Sequence, residues 1–219
     1  MSLFSFLSFN GLSFSFFIAS IRCFRYSVTA KDFYDNYGRG LLVEYEHSIP
    51  VLMMEVYPEA PWEPWRFSSV TKGFWDKKEN RKKYLIWLGK RLEFKSMDDW
   101  YGLKQDQLKN NSGGGLSTLF NNSIPDLVTS TFDDYPWHNF LFKRIKTFTA
   151  EDIRGAVKFV EEQRKINRPE DWFMVTSERL KELGVERIFD LEGGLVSVLN
   201  RIRPGPKWEA IIPGKDGAY

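Results

Sequence analysis

From Glu79 to Leu92 the chain places Tyr84, Leu85, Leu88 and Leu92 at the spacing of one helical face. Trp87 stands on the border of that face, and Lys82, Lys83 and Lys90 fall opposite it. This pattern predicts an amphipathic helix. The stretch "SMDDW" at 96–100 predicts the start of a second one: a Ser or Asp cap, acids in the first turn, then Trp100 and Tyr101 turned inward. Gly113-Gly114-Gly115 predicts its end, because glycine reaches the left-handed conformation that a helix exit needs. A third helix follows from Leu116 to Asn121. Ser123 then suits the cap of a fourth, its hydroxyl accepting an otherwise unpaired backbone N–H. Pro125 fits the first turn, where no N–H is required, and Leu127, Val128 and Phe132 point inward.

The same pattern recurs along the chain. Sliding the sequence by 75 positions lays residues 24–67 on 99–142 without a gap. Tyr26 then meets Tyr101, Gly38 meets Gly113, Gly40 meets Gly115, and Ser48-Ile49-Pro50 meets Ser123-Ile124-Pro125. A second offset, of 72, sets Asp99-Trp100 on Asp171-Trp172 and Trp87 on Phe159. Gly193-Gly194-Leu195 aligns with Gly114-Gly115-Leu116 at a spacing that has drifted to 79. Strand-like alternation is almost absent. The expected fold is mainly α: tandem small helical bundles, helix-turn-helix-like units of about 72–75 residues, with little or no β-sheet. The expected organisation is a hydrophobic Ser/Phe-rich segment (1–23), a partial unit (24–75), a complete unit (76–147), and a degenerate unit (148–219) with a flexible C-terminal tail. Because the first unit lacks its front part, the chain reads as a fragment of a longer array.

The string "FW…N…YLIWLGKRL…DDWY…GGGL…S…YPEAPWEPWRF" resembles a tandem helical-repeat module of eukaryotic proteins, mainly fungal and algal. The resemblance covers most of residues 24–180 and implies helical repeats, without an established activity. The sequence departs from it at "FDDYPWHNFLF", which stands in the second unit where the first has "YPEAPWEPWRF". The closing unit has no clear Tyr-Pro-Glu stretch.

Composition narrows the chemistry. A hydrophobic share of 42% with eight Trp and nineteen Phe supplies a buried core. A formal charge of +2 argues against a protein wrapped along its whole length on phosphate. One cysteine (Cys23) excludes an internal disulfide framework and, with two histidines (His47, His138), gives too few ligands for a His/Cys zinc site. Leu3–Ile21 is long enough to span a bilayer, but its serines, Asn10 and Gly11 dilute it, and a membrane span is set aside. Its serines, Arg22, Arg25 and lack of acids before Asp32 match an organellar, for example mitochondrial, presequence within residues 1–27. The alternative there is a miscalled start. An intracellular protein is expected, cytoplasmic or nuclear if not organellar.

The charge is uneven. Residues 72–95 hold nine Lys/Arg against three Asp/Glu, a stripe able to track phosphates. Helix, glycine turn and Ser-capped helix also have the outline of a helix-turn-helix, although the would-be recognition helices "SIPVLMMEV" and "SIPDLVTSTF" are not basic. The tryptophans recur in register and are expected to pack between helices. Asp126, Asp133, Asp134 and Lys143 are a distant echo of a metal-dependent nuclease cluster, which needs a sheet to aim its carboxylates. No phosphate-binding loop is present, since no strand precedes the triple glycine and no Gly-Lys-Ser/Thr follows it. The expected function is a non-enzymatic binding module contacting nucleic acid through Lys77, Lys78, Lys82, Lys83 and Lys90. A protein-interaction scaffold is the alternative. No cofactor, metal or small-molecule substrate is expected.

Overall fold

The structure, a computed structural model, describes residues 26–143, 145 and 147–212. Leu3–Ile21, Cys23 and the last seven residues lie outside them. The described residues are helical, with no strand among them. In order they form α1 (Ala30–Asp35), α2 (Arg39–Glu44), α3 (Ile49–Val56), α4 (Lys78–Arg91), α5 (Gln105–Asn110), α6 (Gly114–Leu119) and α7 (Ile124–Thr131). Then come α8 (Ala150–Arg164), α9 (Ser177–Glu182), α10 (Glu186–Leu191), α11 (Leu195–Ile202) and α12 (Trp208–Ile211). Short 3₁₀ turns stand between them. The three helices α1, α2 and α3 and the 3₁₀ turn Pro64–Arg66 have counterparts of equal length 75 residues on, in α5, α6, α7 and Asn139–Leu141. The turn Met97–Gly102 and helices α5 and α6 have counterparts 72 residues on, in Pro169–Met174, α9 and α10.

Packing divides the chain into two compact units. Among the described residues, one combines 26–90 with Asp106–Asn121, and the other combines Arg91–Gln105 with those from Asn122 to Ile212. These boundaries follow contacts, whereas 75/76 and 147/148 follow sequence recurrence.

In the first unit, Leu42 of α2 and Ile49, Leu52 and Met53 of α3 form a small core with Tyr57 and Phe67. Tyr26 closes it, its ring edge-on to Phe67 at 5.0 Å and its hydroxyl accepting from the Glu63 N–H at 3.0 Å. Trp65 carries the chain onward: its ring sits 5.5 Å from Tyr84 and 5.7 Å from Trp87 of α4. Helix α4 forms as its pattern predicts, burying Tyr84, Leu85 and Leu88. The Tyr84 hydroxyl donates to the Asn111 carbonyl (2.9 Å), with the Leu108 carbonyl, already taken by the Asn111 and Gly113 N–H groups, at 3.3 Å.

The second unit buries Ile153, Ala156, Val157 and Val160 of α8 in one cluster with Trp172, Leu180, Ile188, Phe189, Leu199 and Trp208. Phe140 meets Phe159 of α8 at 5.9 Å. None of the eight tryptophans is exposed, as their recurrence in register suggests. Three of them fasten the chain in one way: the indole N–H donates to the carbonyl five residues earlier, Trp62 to Tyr57 (2.8 Å), Trp137 to Phe132 (2.6 Å) and Trp208 to Arg203 (3.0 Å).

Three local expectations are corrected. "SMDDW" starts a 3₁₀ turn, Met97–Gly102, and a separate helix α5 follows it. Gly113 and Gly114 do not end a helix but open α6, with Gly113 at φ −88; the left-handed residue is Ser112, at φ 67. Gly193-Gly194 is not the counterpart of Gly114-Gly115. Both residues have positive φ (89 and 92) just before α11, as Asn121 and Asn122 (49 and 62) have just before α7, so no drift to 79 occurs. Ser123 caps α7, its hydroxyl accepting from Asp126 N–H at 3.3 Å, but Ser48 makes no such bond at α3.

Candidate functional site

Gly73 at φ 74 turns the chain into the 3₁₀ turn Phe74–Asp76, which leads into α4. Arg81, one of the nine cations of the stripe, is consumed here. Its Nη1 donates to the carbonyls of Trp75 (2.9 Å) and Asp76 (2.8 Å), and its guanidinium lies 5.5 Å from the Phe120 ring centroid. It is a structural clasp between α4 and its own lead-in.

The lysines behave differently. Lys77, Lys82, Lys83 and Lys90 are exposed, and Lys78 is half-buried. At 100° per residue, Lys82, Lys83 and Lys90 share one arc of α4 away from buried Tyr84, Leu85 and Leu88, and Lys78 stands at its edge beside Leu85. Among the described residues, no carboxylate lies within ion-pair distance of Lys77, Lys82, Lys83 or Lys90. Burial against Trp65 and Trp75 fixes the helix, so the lysine stems project from a rigid rod. One neighbour was not anticipated from the sequence: Ile86 lies in the middle of this arc and is 46% exposed. Its spacing of four from both Lys82 and Lys90 was the available signal.

The stripe is confined to this helix. In α8 the positions 72 residues after Lys78, Lys82, Lys83 and Lys90 are Ala150, Arg154, Gly155 and Glu162. There the charges pair among themselves: Lys158 with Glu162 (3.6 Å), Arg164 with Glu182 (2.7 Å) and Arg203 with Glu161 (2.7 Å). A shallow depression of about 580 Å³, lined by the Lys158–Glu162 and Arg203–Glu161 pairs with Lys165, Ile166 and Asn167, offers no unpaired charge of either sign beyond Lys165. Asp126, Asp133 and Asp134 are exposed. Among the described residues, no group of three or more His, Cys, Asp or Glu is placed to hold a metal ion. Nor is any helix long and apolar enough to cross a membrane; Leu3–Ile21 lies outside that statement.

The arrangement on α4 can therefore do one kind of chemistry: attract a dense array of negative charge at a rigid, partly apolar surface. Searches for relatives add nothing to it, since no protein-family model, no curated protein and no solved structure matches this chain.

Proposed function

We propose that the chain is a non-enzymatic binding module made of a recurring helical unit, and that the outer face of α4 contacts nucleic-acid phosphates. The observation that carries this reading is the set of exposed lysines, Lys77, Lys82, Lys83 and Lys90, with no carboxylate beside them. Lys78 stands at the edge of the same arc. Lysine ammonium groups are point charges without the fork that reads base edges, so the contact is with the backbone and is indifferent to sequence. Neutralising about four phosphates gives a log–log salt slope of roughly −3.6, and about a 10²-fold loss of affinity between 50 and 200 mM salt.

Fluorescence anisotropy of a labelled 20-mer, duplex and single-stranded, across salt concentrations tests this. Replacing Lys82, Lys83 and Lys90 together by Glu abolishes binding on this reading. Retention by that variant, or a flat salt dependence, overturns it. A second reading, a protein-interaction surface, is favoured by Ile86: an apolar centre ringed by charge is the anatomy of a protein interface. Ile86→Ser separates the two. It leaves phosphate binding within about twofold and weakens an acidic protein partner tenfold or more.

A further inference from the structure

Two helical faces of the first unit are equivalent by position and differ in what covers them. On α5–α6, an added Cβ at Gly113 would meet Leu108 at 2.7 Å and the Tyr84 hydroxyl at 2.5 Å, and one at Gly115 would meet the Trp75 indole nitrogen at 2.6 Å. Both glycines are thus notches, one receiving a phenol and the other an indole. On α1–α2, 75 residues earlier, Gly38 repeats the internal contact, with Phe33 at 3.0 Å. The three atoms nearest that position all belong to Phe33, and around Gly40 nothing lies within 4 Å among the described residues.

Burial follows the same division. Leu108 and Leu116 are fully buried, as are their counterparts Leu180 and Ile188 under α8, whereas Phe33 and Leu41 are only half-buried. Helix α1 buries no residue at all. The Asn36 carbonyl, counterpart of the Asn111 carbonyl that accepts from Tyr84, has no hydrogen bond among the described residues. Helices α1 and α2 themselves are nearly neutral, with Asp32, Asp35 and Glu44 against Lys31 and Arg39, and Lys31 pairs with Asp35.

We propose that the α1–α2 face around Gly38 and Gly40 is a docking groove for an amphipathic helix of a partner polypeptide, one that carries an indole and a phenol spaced as Trp75 and Tyr84 are. The indole enters the Gly40 notch, and the phenol lies on Gly38 and donates to the Asn36 carbonyl. This stands apart from the phosphate-binding reading of α4, because it uses α1 and α2 and none of the α4 lysines.

A labelled peptide of residues 72–92 is a suitable probe, titrated with the full chain by anisotropy. Saturable binding is expected, weakened tenfold or more by Gly40→Leu in the protein, or by Trp75→Ala with Tyr84→Ala in the peptide. A Cβ at Gly40 meets no described atom within 4 Å, so Gly40→Leu is expected to keep the melting temperature. Four results overturn the proposal: no binding at 100 µM protein; binding indifferent to Gly40→Leu, which means the peptide has displaced the resident α4 at Gly115; a lowered melting temperature of Gly40→Leu, which means the chain covers its own groove; or self-association of the chain that Gly40→Leu removes, which makes the occupant a second copy.

Discussion

The Tyr84 hydroxyl occupies the space that a side chain on Gly113 would need, 2.5 Å from the position of an added Cβ. The pair at the positions 72 residues on is inverted in size: Ala156 stands for Tyr84, Val185 for Gly113, and both are buried. One volume is filled from the long helix in one place and from the short helix in the other. Gly113→Val alone is therefore expected to cost about 3 kcal/mol by overpacking, and Tyr84→Ala alone about 3–5 kcal/mol by cavity formation and loss of its bond to Asn111. The double variant should fall short of the sum by about 1–3 kcal/mol, since the new valine enters the vacated space. Urea unfolding of the four proteins checks this, and strict additivity would refute the size exchange.

Left-handed residues recur at fixed places with different tolerance. Tyr37, Ser112 and Gly184 have φ of 61, 67 and 74, and the pairs Glu46-His47, Asn121-Asn122 and Gly193-Gly194 precede α3, α7 and α11 with positive φ throughout. Glycine reaches this region without the Cβ penalty, and asparagine more readily than most. Tyr37 is 93% exposed, so its side chain offers no packing in return. Tyr37→Gly should raise stability by about 0.5–1 kcal/mol, and Gly184→Ala should lower it by about 1 kcal/mol. Thermal unfolding of the two variants measures both signs.

These positions also mark what the sequence made legible and what it hid. The apolar spacing from Tyr84 to Leu92 gave helix α4 within a residue of each end, because a long amphipathic face is decided locally. The glycines did not read correctly. The triple glycine predicts an exit in the left-handed region, yet Gly113 is the N-cap of α6 and Gly115 lies in its first turn, and both serve close approach by Tyr84 and Trp75. Backbone freedom and lack of volume call for the same residue, and only the partner across the gap distinguishes them. The lysines of α4 were legible as an exposed face. Arg81 was not legible as a clasp, since its acceptors are carbonyls set by the turn at Trp75 and Asp76.

Two carboxylates take a pair of backbone N–H groups each. Asp99 accepts from Ser96 (2.8 Å) and Lys95 (2.6 Å), and Asp171 from Asn167 (3.0 Å) and Arg168 (3.0 Å). These bonds hold both carboxyls below the ordinary carboxylate range. A lowered folded pKa makes the unfolded chain bind protons first. The stabilisation is therefore complete above the unfolded value of about 3.9 and disappears as pH falls through the folded values. Melting temperature should be flat from pH 6 to about 4.5 and fall below that, with a shallower fall in Asp99→Asn and Asp171→Asn. Equal acid slopes in wild type and variants would contradict the assignment.

The loop from Phe132 to His138 is closed from two sides within the second unit. Trp137 donates its indole N–H to the Phe132 carbonyl at 2.6 Å, while the buried Tyr101 hydroxyl accepts from the His138 N–H at 3.0 Å. Tyr26 does the same for Glu63 in the first unit, but the residue 72 positions after Tyr101 is Phe173, 57% exposed and without a hydroxyl. Removing the acceptor at Tyr101 strands a half-buried N–H, whereas adding a hydroxyl at Phe173 only wets an exposed ring. Tyr101→Phe should thus cost about 1–3 kcal/mol and Phe173→Tyr less than about 0.5 kcal/mol. Hydrogen exchange distinguishes a lost bond from general loosening: the His138 amide should exchange faster in Tyr101→Phe while the amides of α8 keep their protection. Loss of protection along α8 as well would mean that Tyr101 acts through packing against Trp137 and Phe142, whose rings lie 5.2 and 4.8 Å away, and not through its hydroxyl.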